Sequence, residues 1–392
     1  MDEKRSQEIS VPKKDQTSIL SITPLCKEAI EKDAATIQAF FTFLKEYDES
    51  EQTVIMVQLE NEIGALQTDR DYGDLAETLF HDTVPKEMSD QLGTWEEVFK
   101  EQASEMFMLY HYASAVEQLA QTAKRVYPIP LYVNGWQKKA QGKPGEYPSG
   151  GPHQHMVTWY QKLCPSIDLC APDLYGDDIM SNLAAYSEQG VLAIPETRQD
   201  KASLANLIYA AAAYPLVLYA PFGIEDIMDM QSVHQQHANV LAMLGITKEA
   251  FQPEGTRELL IQIYQDFHQM MPFLMEVKAS NRIIAFLGNG KPKEQVRCND
   301  IMLYIQYLYP KEKTILPAGF ICYDNNSYYL YGTCFLAEIQ GWKKEKGLLV
   351  LEEGGFVDGE WKQTRILNGD ERYMIGAFQT PRMLRLEVFD ME

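Results

Sequence analysis

The stretch Thr53-Val-Ile-Met-Val-Gln-Leu-Glu-Asn-Glu-Ile-Gly64 constrains the fold of this chain more than any other. Val54, Ile55, Met56 and Val57 run without polar interruption, and Leu59 follows Gln58. An apolar run that does not alternate fits a strand covered on both faces, as in a parallel sheet flanked by helices. The run then stops at Glu60, Asn61 and Glu62, the strand end where such sheets carry their chemistry. A second run, Gly190-Val-Leu-Ala-Ile-Pro-Glu-Thr-Arg198, places Glu196 in the same way. A single glutamate at a strand end is usually a solvated or salt-bridged side chain. Two such carboxylates, one preceded by Asn61, point to acid/base or nucleophilic work.

Further strands are expected at Leu131–Asn134, bounded by Pro128 and Pro130, at Ser166–Tyr175 and at Leu216–Phe222. Helical spacing of apolar residues lies between them, at Ala103–Arg125, Met156–Leu163, Asn182–Gln189 and Ala202–Ala213. Strand and helix in alternation mean a parallel α/β sheet with crossover helices.

Four motifs carry a resemblance to a known family: Gln58-Leu-Glu-Asn-Glu62, Ile194-Pro-Glu-Thr-Arg198, Tyr147-Pro-Ser-Gly-Gly-Pro152 and Ala220-Pro-Phe-Gly-Ile-Glu225. From about Ser18 onward the chain resembles the glycoside hydrolase family 35 β-galactosidases, closest to the bacterial branch with a C-terminal β domain. The resemblance implies a (β/α)8 TIM barrel with the acid/base after strand four and the nucleophile after strand seven. It implies retaining hydrolysis of terminal β-galactosides through a covalent glycosyl-enzyme, with Glu196 as nucleophile and Glu62 as acid/base. Asn61 would then bond the sugar 2-hydroxyl, and Glu60 would belong to the supporting shell. Substrate-binding candidates at other strand ends are Asn134, Trp136 as a stacking face, Tyr175 as a partner of the nucleophile, and Phe222.

The chain departs from that family at its N-terminal side. Eight βα units take about 250 residues, so three units ahead of the Glu62 strand need about 90, and 53 residues precede Val54. Pro24–Glu49 reads as one amphipathic helix, and nothing ahead of it reads as strands one to three. The expected barrel is N-terminally truncated, with strands four to eight present and an apolar edge at Val54–Leu59. A second reading follows: a remnant or split-enzyme half, weak or inactive by itself, that needs a complementing N-terminal fragment and binds carbohydrate only.

Phe251–Val277 reads as a long helix, and the rest is β in character. Asp324-Asn-Asn-Ser327 reads as a four-residue loop and Val357-Asp-Gly-Glu360 as a two-residue hairpin turn. Three segments are expected: a disordered 1–17, a partial barrel at 18–277 and a β-sandwich-like domain at 278–392.

A net charge of −21 opposes nucleic acid and anionic membrane as partners and leaves a neutral carbohydrate substrate, with a homo-oligomer compatible. No run of about 18 apolar residues suggests a membrane span. The opening residues lack the apolar core of a secretory signal, so the chain as written is expected in the cytoplasm, and outside it if an upstream portion is missing. The six cysteines form no CxxC pair and are expected as buried free thiols. His153 with His155, and His234 with His237, are close enough to consider as metal ligands, but no carboxylate is spaced to complete either site. No metal and no cofactor is expected.

Overall fold

The computed structural model describes residues 10–139, 141–176, 178–228, 246, 248–251, 253–309 and 316–391. His234 and His237 lie outside them. The chain divides into two compact units, with the cut between Pro195 and Glu196.

The first unit opens with an antiparallel hairpin, β1 (Ser10–Pro12) and β2 (Ser18–Ile22). Structure therefore begins inside the segment expected to be disordered. Two local features account for it: Val11 is fully buried, and the Asp15 carboxylate accepts the Thr17 N–H (3.0 Å) and hydroxyl (2.6 Å) across the turn. Helix α1 (Lys27–Asp48) follows, then β3 (Val57–Glu60), α2 (Asp74–Phe80), α3 (Trp95–Phe99), α4 (Ala103–Val126), β4 (Leu131–Trp136), α5 (Val157–Leu163), β5 (Leu169–Leu174), α6 (Ile179–Ser187) and β6 (Leu192–Thr197). Thr94 caps α3 in a reciprocal capping box with Glu97. Helix α1 packs on α4 through Phe41 and Leu44, while Phe40, Phe43 and Tyr47 face outward.

The apolar run expected as a strand from Val54 pairs only from Val57. The buried carboxylate of Asp48, at the end of α1, accepts the N–H groups of Thr53 (3.0 Å) and Val54 (3.1 Å). The chain is thereby held short of the sheet, and Ile55 is 65% exposed. Strand β3 is half-buried instead of covered on both faces, because among the described residues only β4 pairs with it. Strand β5, an interior strand, is buried along its whole length.

The second unit continues with α7 (Lys201–Ala213), β7 (Leu216–Pro221), α8 (Ile224–Met228) and α9 (Arg257–Ala279). Strands β3, β4, β5, β6 and β7 form one five-stranded parallel sheet in that order. The other edge strand, β7, leaves Val217 53% exposed.

The C-terminal strands are β8 (Ile283–Leu287), β9 (Lys293–Cys298), β10 (Ile301–Tyr307), β11 (Ala318–Asp324), β12 (Ser327–Thr333), β13 (Phe335–Gly341), β14 (Lys346–Val357), β15 (Glu360–Ile366), β16 (Ile375–Ala377) and β17 (Arg382–Asp390). They form two antiparallel sheets, ordered β16-β13-β10-β9 and β15-β14-β17-β12-β11-β8. Leu303, Ile305 and Phe335 from the smaller sheet share one core with Phe286, Ile321, Leu330, Leu384 and Leu386 from the larger, so the sheets pack as a sandwich. Val357 pairs with Glu360 across Asp358 (φ 52°) and Gly359 (φ 83°), the two left-handed residues of a type I′ hairpin. The loop expected to hold four residues holds two, because Asp324 and Ser327 are already paired, leaving Asn325 (φ 52°) and Asn326. Helix α9 is pinned to this larger sheet by Phe267 stacked on Phe320 and by the Tyr331 hydroxyl donating to Asp266 (2.8 Å).

All six cysteines are free and five are buried, with Cys26 half-exposed. Burial pushes the Cys170 and Cys298 thiols up to about 12. No helix among the described residues is long and apolar enough to cross a membrane.

Leu330 is fully buried in the sandwich core, so Leu330→Ala should lower the unfolding free energy by about 2–5 kcal/mol, measured by urea denaturation. A loss below about 1 kcal/mol would show that the two sheets do not share that core.

Candidate active site

Glu62 lies two residues beyond the end of β3, in a left-handed conformation (φ 49°) that a non-glycine residue adopts at a cost. What holds it there is Asn134, the fourth residue of β4. The Asn134 side-chain oxygen accepts the Glu62 backbone N–H at 3.0 Å. Its amide group donates to Asn61 (3.2 Å) and to Asp173 (2.9 Å), and the Asn61 oxygen also accepts from Gln58 (2.9 Å). Asn134 is 1% exposed and Asp173 is 2% exposed. Three strand ends, those of β3, β4 and β5, are thus joined through one buried amide.

The carboxylate oxygens of Glu62 and Asp173 lie within 4.8 Å of each other. Burial raises the Glu62 pKa above the ordinary range. Trp136 and Asp173 work in the opposite sense, but less strongly. The Trp136 indole nitrogen is buried and outside hydrogen-bonding geometry to any described group. Its nearness nonetheless favours the ionised Glu62. Glu62 therefore keeps its proton to higher pH than a solvated glutamate, as a proton donor must.

Glu60, the last residue of β3, is shifted in the same direction. Burial, aided by the charge of Asp33, raises its pKa to about 7.

Glu196 is the fifth residue of β6, half-buried, and the first residue of the second unit. Tyr175 follows β5 directly and is half-buried. Phe222 follows β7 and is 49% exposed. Its N–H donates to the Thr197 carbonyl (2.9 Å), and its own carbonyl accepts from the Gln199 side chain (2.6 Å). The end of β7 is thereby fixed to the segment that follows Glu196.

Of the residues expected at strand ends, the structure joins Asn61, Glu62 and Asn134 in one network. All the polar groups of the Asn134 side chain are committed to protein partners, which makes it a positioning group for Glu62. Asp173 was missed by the sequence reading, although a signal existed: it is a carboxylate inside the apolar run Leu169–Leu174, where a buried strand ordinarily has none. The histidines of the Gly-Pro loop are occupied by protein. His153 faces a backbone carbonyl with each ring nitrogen, and the His155 Nε2 lies 3.0 Å from Glu105, a carboxylate brought from α4. Burial pushes the Glu105 carboxyl up, but His155, Tyr147 and His153 together outweigh it and hold the carboxyl below the usual range.

The raised Glu60 pKa gives a pH dependence with a definite sign. The folded protein holds this proton more tightly than the unfolded chain, so this group's contribution to stability falls as pH rises from 4.5 to about 7. Glu60→Gln removes the ionisation. The variant should melt at a higher temperature than the parent at pH 8 and at an equal one at pH 4, by calorimetry. Equal melting temperatures at both values would place Glu60 in water.

Residues 260–377 match the model of a family described as Domain of unknown function (DUF5597), well under half of the chain. The match runs from within α9 to the end of β16. No curated protein matches the sequence.

Proposed function

We propose that this chain is a retaining glycoside hydrolase resembling the family 35 β-galactosidases and acting on terminal β-galactosides. Its five parallel strands would correspond to strands four to eight of a (β/α)8 barrel. The observation that carries the reading is Glu62: a half-buried carboxyl with a raised pKa, seated at a strand end of a parallel sheet by Asn134, which is itself bonded to Asp173. Glu196 stands at the end of another strand of that sheet.

In the first step the Glu196 carboxylate attacks the anomeric carbon while Glu62 gives its proton to the departing glycosidic oxygen. In the second, ionised Glu62 takes a proton from water, whose oxygen displaces Glu196 and frees the sugar. This chemistry requires the two carboxyl groups to be roughly 5–5.5 Å apart. It also requires Glu62 to be protonated and Glu196 ionised at the same pH. The desolvation of Glu62 serves the first of these needs and outweighs the opposite pull of the Trp136 and Asp173 side chains beside it. Asn61 would meet the sugar 2-hydroxyl, Trp136 and Phe222 would offer ring faces, and Tyr175 would hydrogen-bond the nucleophile.

A second reading is favoured by the sheet edges. Among the described residues, strands β3 and β7 each pair on one side only, Ile55 and Val217 are exposed beside them, and α1 turns Phe40, Phe43 and Tyr47 outward. A partial barrel of this kind would be weak or inactive alone, would bind carbohydrate without turnover, and would gain activity from a polypeptide supplying three βα units.

Hydrolysis of nitrophenyl β-galactoside tests both. On the first reading the isolated chain turns over, Glu196→Gln lowers kcat by about 10³-fold or more, and Glu62→Gln is most damaging with poor leaving groups, which most need a proton. Turnover unchanged by Glu196→Gln, or none from folded protein, rules that reading out. Activity that appears only with the complementing polypeptide selects the second.

A further inference from the structure

The loop between β4 and α5 contains Tyr147-Pro-Ser-Gly-Gly-Pro-His-Gln-His155 and lies against the residues that follow Glu62. Ala65 and Ser149 exchange both backbone hydrogen bonds, at 3.0 and 2.8 Å. A Cβ on Gly64 would come within 2.6 Å of Pro148, and one on Gly151 within 2.3 Å of the Ile63 carbonyl oxygen. Backbone therefore meets backbone here, and any movement of the loop is transmitted to Ile63 and so to Glu62.

His153, 1% exposed, ties the loop down. Its Nδ1 lies 3.1 Å from the carbonyl oxygen of Trp136, at the end of β4, and its Nε2 lies 2.5 Å from that of Pro148. Two carbonyls facing one ring ask for two donors, which only the imidazolium has, and the neutral ring supplies one. Burial disfavours the charged form. The groups around it are the His155 ring, stacked at 6.2 Å, the edge of Tyr147 at 4.9 Å, and Glu105 beyond them.

We propose that His153 is a positioning residue for Glu62: by tying the Pro148 carbonyl to the end of β4, it holds the loop against Ile63–Ala65 and fixes the backbone on which the Glu62 carboxyl stands. The Gly150 and Pro152 carbonyls are held by the hydroxyls of Tyr160 (2.9 Å) and Tyr186 (2.7 Å), so the loop survives without His153 but its contact with Gly64 loosens. The catalytic side of this proposal rests on Glu62 as the acid/base.

The test is a carbon-13 titration of the Glu62 carboxyl in the whole chain, assigned through Glu62→Gln, in the parent, His153→Ala and His153→Gln. Release of the loop admits water to Glu62. His153→Ala should shift the Glu62 midpoint down toward 4.5 and speed exchange of the Ala65 and Ser149 amide protons by about tenfold or more. His153→Gln keeps one donor and should recover part of both. In the galactoside assay the alkaline limb of the pH profile should move to lower pH, and kcat should fall by about 100-fold with KM little changed. A Glu62 midpoint and amide exchange unmoved in the folded variants overturn the proposal. Loss of folding in both variants overturns it too, since His153 would then serve the fold and not Glu62. A midpoint that moves in a protein without hydrolysis refutes the glycosidase reading and leaves the positioning role intact.

Discussion

Asn134 joins three strand ends through one side chain, and the geometry of the site depends on it. The amide carries two protons and one carbonyl, and each meets a group on another segment: Asn61, Asp173 and the backbone of Glu62. A residue other than glycine in the left-handed region is disfavoured by roughly 1–2 kcal/mol, and one buried hydrogen bond returns roughly 1 kcal/mol. The two are of similar size, so Glu62 sits where it does because Asn134 is buried and cannot rotate away. Removing that amide would leave the Asp173 carboxylate buried with one donor fewer, a larger penalty than the bond itself.

The two kinds of sheet show different relations between pattern and burial. In the sandwich the core is shared by both faces and formed by alternating residues, with Leu384 and Leu386 inward and Arg385 and Glu387 less buried. In the parallel sheet burial depends on position in the strand order: β5, an interior strand, is covered throughout, whereas β3 and β7 are not. The apolar content of a strand says that it can be covered on both faces, but neighbours decide whether it is.

The same difference sets how much could be read in advance. Local chemistry was legible: Thr94 and Glu97 cap a helix, Asp358-Gly359 turns a hairpin, and the apolar runs at Leu131, Leu169, Leu192 and Leu216 are strands. Glu62, Asn61 and Asn134 were legible as strand-end residues, but the bonds between them join positions 72 and 73 residues apart and have no local signature. The start of β3 was misplaced for a related reason: Asp48 draws Thr53 and Val54 away through hydrogen bonds that no apolar pattern encodes. His153 had no local signature of its partners: its ring is engaged by two carbonyls, one contributed by a strand end 17 residues away.

The distribution of thiols separates Cys26 from the other five in chemical terms. A thiolate is the reactive form, and burial holds Cys170 and Cys298 in the protonated state while shielding Cys164, Cys322 and Cys334 as well. Cys26, half-exposed at the residue before α1, is the one within reach of a reagent in the folded state. A single probe attached there would report from the start of the helix that carries the outward aromatic residues Phe40, Phe43 and Tyr47, while labelling of the remaining thiols would mark the opening of the core.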